Sequence, residues 1–187
     1  MKRKLKGSYE YLDYKKKTEL FKTIMMFALS FAVFLLGYLS THTKANLLTI
    51  VAVLGCLPAS KSLVSVIMNF RIPKCKKETC QKIEDHIGSL NGYYHLYFTG
   101  YSKNFAISHL TVTKNSILAY TQNGNIDEQE FTNHIQNLLK KEGIQDITVK
   151  LYKDLGKYLN RLDEINTNFS DFSKRDDLVS LLFTVSL

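Results

Sequence analysis

Few groupings in this chain carry side chains able to do chemistry. Cys75, Cys80 and His86 supply two thiols and an imidazole, the donor types that hold zinc. His95 and His109 fall in apolar runs that read as adjacent strands, so the two imidazoles would face each other. Lys61 interrupts a long apolar segment, and an ionisable group inside such a segment marks an ion site or a contact for a partner helix. Asp176 and Asp177 are neighbouring carboxylates, and Tyr93, Tyr94, Tyr97, Phe98 and Tyr101 form an aromatic cluster of the kind that stacks bases.

Spacing argues against most of these chemistries. On one helix, positions 75 and 80 point their thiols about 140° apart, and a compact zinc motif needs closer cysteines and a fourth ligand. Cys80 reads instead as a core residue on a helix face. His134, next to Ile135, reads as a boundary residue and Asp176 as a helix start. The aromatic cluster has no basic groove beside it and reads as strand core. The chain has neither a glycine-rich phosphate loop nor a Gly-x-Ser-x-Gly elbow. The sequence therefore assigns no catalytic, cofactor-binding or metal residue, and no cofactor.

The elements that carry these residues divide into an apolar half and a mixed half. Residues 23–39 and 45–60 contain no charged side chain. The first segment, a transmembrane helix over 23–39, rises about 26 Å. It lacks the cleavage site of a signal peptide, and a second apolar segment follows at once. That second segment, over 47–70, is expected to kink near Pro58, which removes one backbone bond and crowds the carbonyl of Leu54. Lys61 then reads as the place where the helix leaves the bilayer, with the residues after it lying along the surface; a re-entrant turn at Gly55–Pro58 is the other geometry. Ala28 with Ala32, and Ala52 with Gly55 and Ala59, mark faces for close packing.

The short link 40–46 makes the two helices an antiparallel hairpin. Net charge is +8, and its placement sets orientation. Residues 1–22 carry +5 and residues 69–82 carry +4, whereas 83–187 carry −3. Positive flanks on both outer ends put the N-terminus and everything after residue 70 in the cytoplasm, with the loop outside. The basic, tyrosine-bearing stretch 1–22 reads as an interfacial anchor on anionic lipid. A nucleic-acid binder would carry its excess charge on the binding domain itself, so nucleic acid is disfavoured as a partner. An odd count of three cysteines argues against a disulfide framework.

Residues 74–187 suffice for one small α+β (or α/β) domain. Apolar spacing predicts a helix over 76–90 and strands over 93–99, 105–113 and 117–121, the last three joined by short turns as an antiparallel meander. A helix over 127–142 follows, with Asp127 and Glu130 as capping box and Gly143 as C-cap. A strand over 146–152 comes next; the crossover helix allows it to run parallel to an earlier strand. A helix after Asp154, a loop over 166–173, and a tail of uncertain type from Asp176 complete the order αβββαβαα.

That order resembles the core of restriction-endonuclease-like folds, and the stretch HLTVTKNSILAYTQN resembles the central hairpin of nuclease-related domains that some bacteria tether to membranes. The resemblance implies a carboxylate near the second strand and Glu-x-Lys on the third, around Mg²⁺. The matching positions hold Ser108 or His109, then Thr121 and Asn123. Through NLLTIVAVLGCLPASK and YLDYKKK the whole chain is similar to small uncharacterised two-helix membrane proteins of low-GC Gram-positive bacteria. Those are automatically named O-linked GlcNAc transferase-like, although nothing in these residues supports glycosyl transfer. The expected function is a non-catalytic cytoplasmic binding or adaptor domain on a membrane hairpin, with the lipid bilayer and a protein partner, or self-association through the membrane helices. A divergent nuclease-like enzyme on phosphodiesters and an accessory subunit of a transporter or channel are the alternatives.

Overall fold

The computed structural model describes residues 6–100, 103–167 and 176–186. They form two compact units, one over residues 12–71 and a second in which residues 6–11 join the chain from 72 onward.

The first unit is a pair of helices, α1 (Tyr11–Thr41) and α2 (Leu47–Arg71), each long and apolar enough to cross a bilayer. Asn46 starts α2 by accepting the Thr49 amide at 2.8 Å. Besides Leu12 near the start of α1 and Asn69 near the end of α2, the buried positions are Thr23, Ser30 and Gly37 along α1 and Ala52, Ala59 and Val66 along α2. Both sets recur every seven residues, the period of a left-handed antiparallel seam. Thr23 Oγ1 meets Ser62 Oγ at 2.6 Å. A side chain on Gly55 would run into Ser30, and one on Gly37 into Leu48 and Asn46. Small residues thus let the two backbones approach, and the large side chains, Leu29, Phe31, Leu36, Val53 and Leu57 among them, face outward.

The seam fixes the height of Lys61. It precedes Ser62, Ser62 lies opposite Thr23, and Thr23 follows Lys22, so the two lysines stand at one level. From Thr23 to Thr41 the helix rises about 27 Å, close to the roughly 30 Å of a hydrocarbon core. Lys61, which is exposed, therefore stands at the edge of the charge-free slab. Two expectations change. Residues 62–71 do not turn along a surface: they continue α2 beside the charged first turns of α1, with Lys16 Nζ 5.7 Å from the Phe70 ring. A re-entrant turn is excluded, because α2 runs as one helix through Pro58. On α1 the packed face is the Thr23–Ser30–Gly37 line, and Ala28 and Ala32 are exposed.

The second unit is a four-stranded sheet with helices on both faces. After α3 (Lys77–Ile87) come β1 (Gly92–Thr99), β2 (Asn104–Val112), β3 (Ser116–Tyr120), α4 (Glu128–Lys141), β4 (Thr148–Tyr152), α5 (Leu155–Thr167) and α6 (Asp176–Val185). The sheet order is β1-β2-β3-β4. The first three strands are an antiparallel meander, and β4 runs parallel to β3 through the α4 crossover. Asp127 caps α4 by accepting the Gln129 and Glu130 amides, and Glu130 pairs with Lys103 at 2.9 Å. Gly143 leaves the helix at φ +72°. Phe131, Ile135 and Leu139 of α4, with Leu178 and Leu182 of α6, cover one face of the sheet; α3 and α5 cover the other through Ile83, Tyr158 and Leu162. The tail from Asp176 is helical, which settles its type. The loop expected over 166–173 lies outside the described residues beyond 167, as does Tyr101.

The N-terminal residues complete this unit. Tyr94 N–H donates to Gly7 O at 2.7 Å beside β1, and Lys6 Nζ donates to the carbonyls of Phe183 (2.5 Å) and Ser186 (2.8 Å) at the C-terminal end of α6, where a cation also complements the helix dipole.

Overpacking the seam separates the two faces of the hairpin. Ala59→Leu is expected to cost about 1–3 kcal/mol and to lower the thermal unfolding midpoint in mild detergent, at roughly 2–4 °C per kcal/mol. Ala28→Leu, on the outward face, is expected to leave it within about 1 °C.

Candidate functional site

The chemistry-bearing residues converge on one place: the face of the sheet beneath α3 and α5, at the β1–β2 end. Cys75 is not on a helix. Pro73 disfavours helix in the residue before it, and after α2 ends at Arg71 α3 begins only at Lys77, following an extended Lys76. Cys75 therefore folds back onto the first turn of α3, where it, Cys80 and Tyr94 form one buried cluster with Tyr9 packed against it. The Cys75 thiol donates to Lys76 O at 3.6 Å. The expected 140° divergence is wrong, because it treated both residues as helical.

His95 anchors the segment from below. Its backbone is left-handed, at φ +57°, in the middle of β1, and its Nε2 accepts the Cys75 amide at 3.0 Å. As acceptor, Nε2 carries no proton, so the neutral ring holds its proton on Nδ1. Tyr9 seals the other side: its hydroxyl donates to Cys75 O at 3.2 Å, and its ring lies 5.2 Å from that of His95. Gln122 completes the cradle by accepting the Lys76 amide at 3.3 Å and donating to Thr79 Oγ1 at 3.0 Å.

His109 does not face His95. The strand register sets Tyr94 opposite it, with the two rings 4.6 Å apart. His109 Nδ1 bonds Tyr158 Oη at 2.6 Å, and Tyr158 Oη also lies 3.3 Å from Thr111 Oγ1. Among the described residues His109 Nε2 is buried without a hydrogen-bond partner, and so is the Tyr94 hydroxyl. Gly92 lies directly over this ring, and a side chain there would collide with Nε2 and with Ile87.

Among the described residues no Asp, Glu, Lys or Arg is buried. Burial drives the His109 imidazole down to about 3, so it is neutral across the physiological range. Burial pushes the phenols of Tyr94 and Tyr158 well above their ordinary value. Cys75 is drawn below the ordinary thiol value by the hydrogen bond from Cys80, and Cys80 is pushed up by the same bond and by burial.

The remaining sequence candidates lie apart. His86 is exposed and bonds Asp163 across α3 and α5 at 2.8 Å, away from either thiol cluster partner. Asp176 and Asp177 open α6. Tyr97 and Phe98 are buried, and Phe98 packs edge-on against Phe131. Thr121 Oγ1 donates to Ala106 O, Asn123 accepts the Asn125 amide, and Ser108 Oγ accepts the Gln122 amide. Among the described residues no three His, Cys, Asp or Glu side chains gather as metal ligands. Sequence reading missed Tyr9 and Tyr158, which meet the cluster from distant parts of the chain. Open grooves mark the surface. One, of about 670 Å³, runs along β3, β4 and α5 past Lys150, Lys157, Asn160 and Arg161. Comparison with family models, with curated proteins and with solved structures returns no match.

The depressed His109 has a definite sign in stability. Unfolded, it takes up a proton near pH 6.5; folded, only near 3. The unfolded state binds more protons between those values, so this contribution is complete above about pH 6.5 and declines as pH falls toward 3. His134, depressed by partial burial and by Lys141, adds in the same direction, whereas Asp127 acts only below its ordinary 3.8. Urea unfolding at pH 7.5 and pH 5 is expected to show a drop in wild type that is clearly smaller in His109→Gln.

Proposed function

We propose that this integral-membrane protein is a membrane-anchored adaptor, whose hairpin holds a non-catalytic binding domain at the cytoplasmic surface. One observation carries the reading. Cys75, Cys80, His95, His109 and Tyr158 are enclosed in the core, whereas the surface offers an open groove. That groove borders β4, an edge strand of the sheet, and Lys150 and Lys157 give it positive character, while Arg161 pairs with Glu164 at 2.6 Å on its wall. Its match is a protein segment of acidic character, which could also pair with the free edge of β4.

Orientation rests on charge. Both outer ends of the hairpin are strongly basic and the connecting loop carries one lysine, which favours a cytoplasmic domain and an external loop. The nuclease-like alternative gains support from strand order alone, since the αβββαβ sequence of elements and a last strand parallel to the third are what that core requires. The positions that would hold its metal are Ser108, His109, Thr121 and Asn123, which offer no carboxylate. The transporter reading loses support, because Lys61 stands level with Lys22 at the slab edge and faces away from the seam.

Two experiments bear on this. Purification of the tagged full-length protein in mild detergent at native expression level is expected to retain a stoichiometric protein partner, released by salt and lost in the Lys150→Glu/Lys157→Glu variant. A partner-free preparation counts against the adaptor, and co-purifying nucleic acid would favour the nuclease-like reading. For orientation, a membrane-impermeant maleimide applied to intact cells is expected to label Lys44→Cys and to spare a cysteine placed at Lys150; the opposite pattern inverts the topology.

A further inference from the structure

We propose that Cys75 and Cys80 form a reversible intramolecular disulfide, a peroxide-responsive clasp that ties the segment leaving the membrane hairpin to the first turn of α3. Cys75 lies outside α3 and Cys80 within its first turns, so the divergence of a five-residue spacing on a continuous helix does not apply, and the two cysteines share one buried cluster with Tyr94. Both cysteines are free thiols in this structure. The backbone around Cys75 is held at both its polar atoms. His95 Nε2 takes the amide hydrogen, and Tyr9 donates to the carbonyl. The segment is thereby fixed with its side chain turned toward Cys80.

The pair also has unequal partners, as a thiol-oxidation sequence needs. Cys75 stands just before the N-terminal end of α3, where the helix dipole favours an anion. Cys75 is accordingly the attacking thiol and Cys80 the resolving one. The Cys75 sulfur displaces hydroxide from hydrogen peroxide, which leaves as water with the thiol proton, and becomes a sulfenic acid. The Cys80 sulfur then attacks that sulfur and expels a second water. Two thiols and one peroxide give one disulfide and two waters, and a small dithiol returns the pair to the reduced state by exchange. The third thiol, Cys56, lies in the apolar part of α2, far along the chain from this cluster, and serves as the internal control.

The test uses the full-length wild-type protein in detergent, treated with hydrogen peroxide and then unfolded in guanidinium with iodoacetamide, so that both buried thiols are reachable. The intact mass is expected to fall by about 2 Da before alkylation, with only Cys56 alkylated, and dithiothreitol is expected to restore all three alkylations. Because Lys76 and Lys77 separate the two cysteines, trypsin leaves them on different peptides. The disulfide is then read directly as a linked pair, one peptide ending at Lys76 and the other running from Glu78 to Lys82. In Cys80→Ser, dimedone is expected to trap the sulfenic acid on Cys75. Full alkylation of Cys75 and Cys80 after peroxide would overturn the proposal. So would sulfinic acid at either position without a linked peptide, or a disulfide that joins two chains through Cys56. The wild-type peptide map decides the question even if a variant fails to fold.

Discussion

Backbone amides inside hydrocarbon must be satisfied within their own segment, and the rest of this molecule follows from that requirement. It turns two uncharged stretches into helices, and a short link makes them antiparallel. Two crossings return the chain to the side on which it began. Lys16 on α1 and Phe70 on α2 mark that common end. The residues before the first helix are then available to the soluble unit. Gly7 extends the β1 edge, Lys6 caps α6 and Tyr9 closes over Cys75. Read by composition alone, the basic N-terminal stretch is a lipid anchor. Its described part is also a piece of the soluble fold, and an odd number of crossings would place the two on opposite sides of a membrane.

A single strained residue shapes the interior of that fold. In a regular strand, alternate residues share a face. In β1, Leu96 and Phe98 pack toward α4 and α6, and so does Tyr93, whereas Tyr94 joins the thiol cluster on the other side. The alternation therefore shifts at His95, the residue with left-handed backbone. A non-glycine residue in that region costs on the order of 1–3 kcal/mol. The bond from the Cys75 amide to its ring offsets part of that cost, and the shift sets Tyr94 against His109. The partner strand follows: Phe105 and Ile107 face α4, then Leu110 and Val112, while His109 and Thr111 turn toward Tyr158.

The sequence made the membrane half legible because charge is a one-dimensional signal there. Uncharged runs and a short link suffice for the two apolar helices, and element order in the second unit followed from equally local patterns of turns and apolar periodicity. What could not be read is what depends on pairing across distance. Small residues lie on several faces of α1, and only the register against α2 selects Thr23, Ser30 and Gly37 over Ala28 and Ala32. The strand shift at His95 leaves no compositional trace. The thiol contact was misjudged for a different reason, since Pro73 ends the helix before Cys75 and a helical angle does not apply.

The enclosed site also limits which reactions it can host. General acid–base work needs a group that exchanges a proton near neutral pH. His109 is held neutral by burial, and Tyr94 and Tyr158 are held protonated by it, so none of the three reaches the charged state such a step requires. Forming a disulfide makes no such demand on its product. It replaces two weakly polar S–H groups with an uncharged bond that a dry, apolar cluster accommodates without desolvating an ion. Only the attacking sulfur must carry charge, and only for one step; it is also the group in this cluster that lies at a helix N-terminus. The burial that disqualifies the histidine as a base is compatible with the thiol pair, and for that reason the chemistry of this domain concentrates at Cys75.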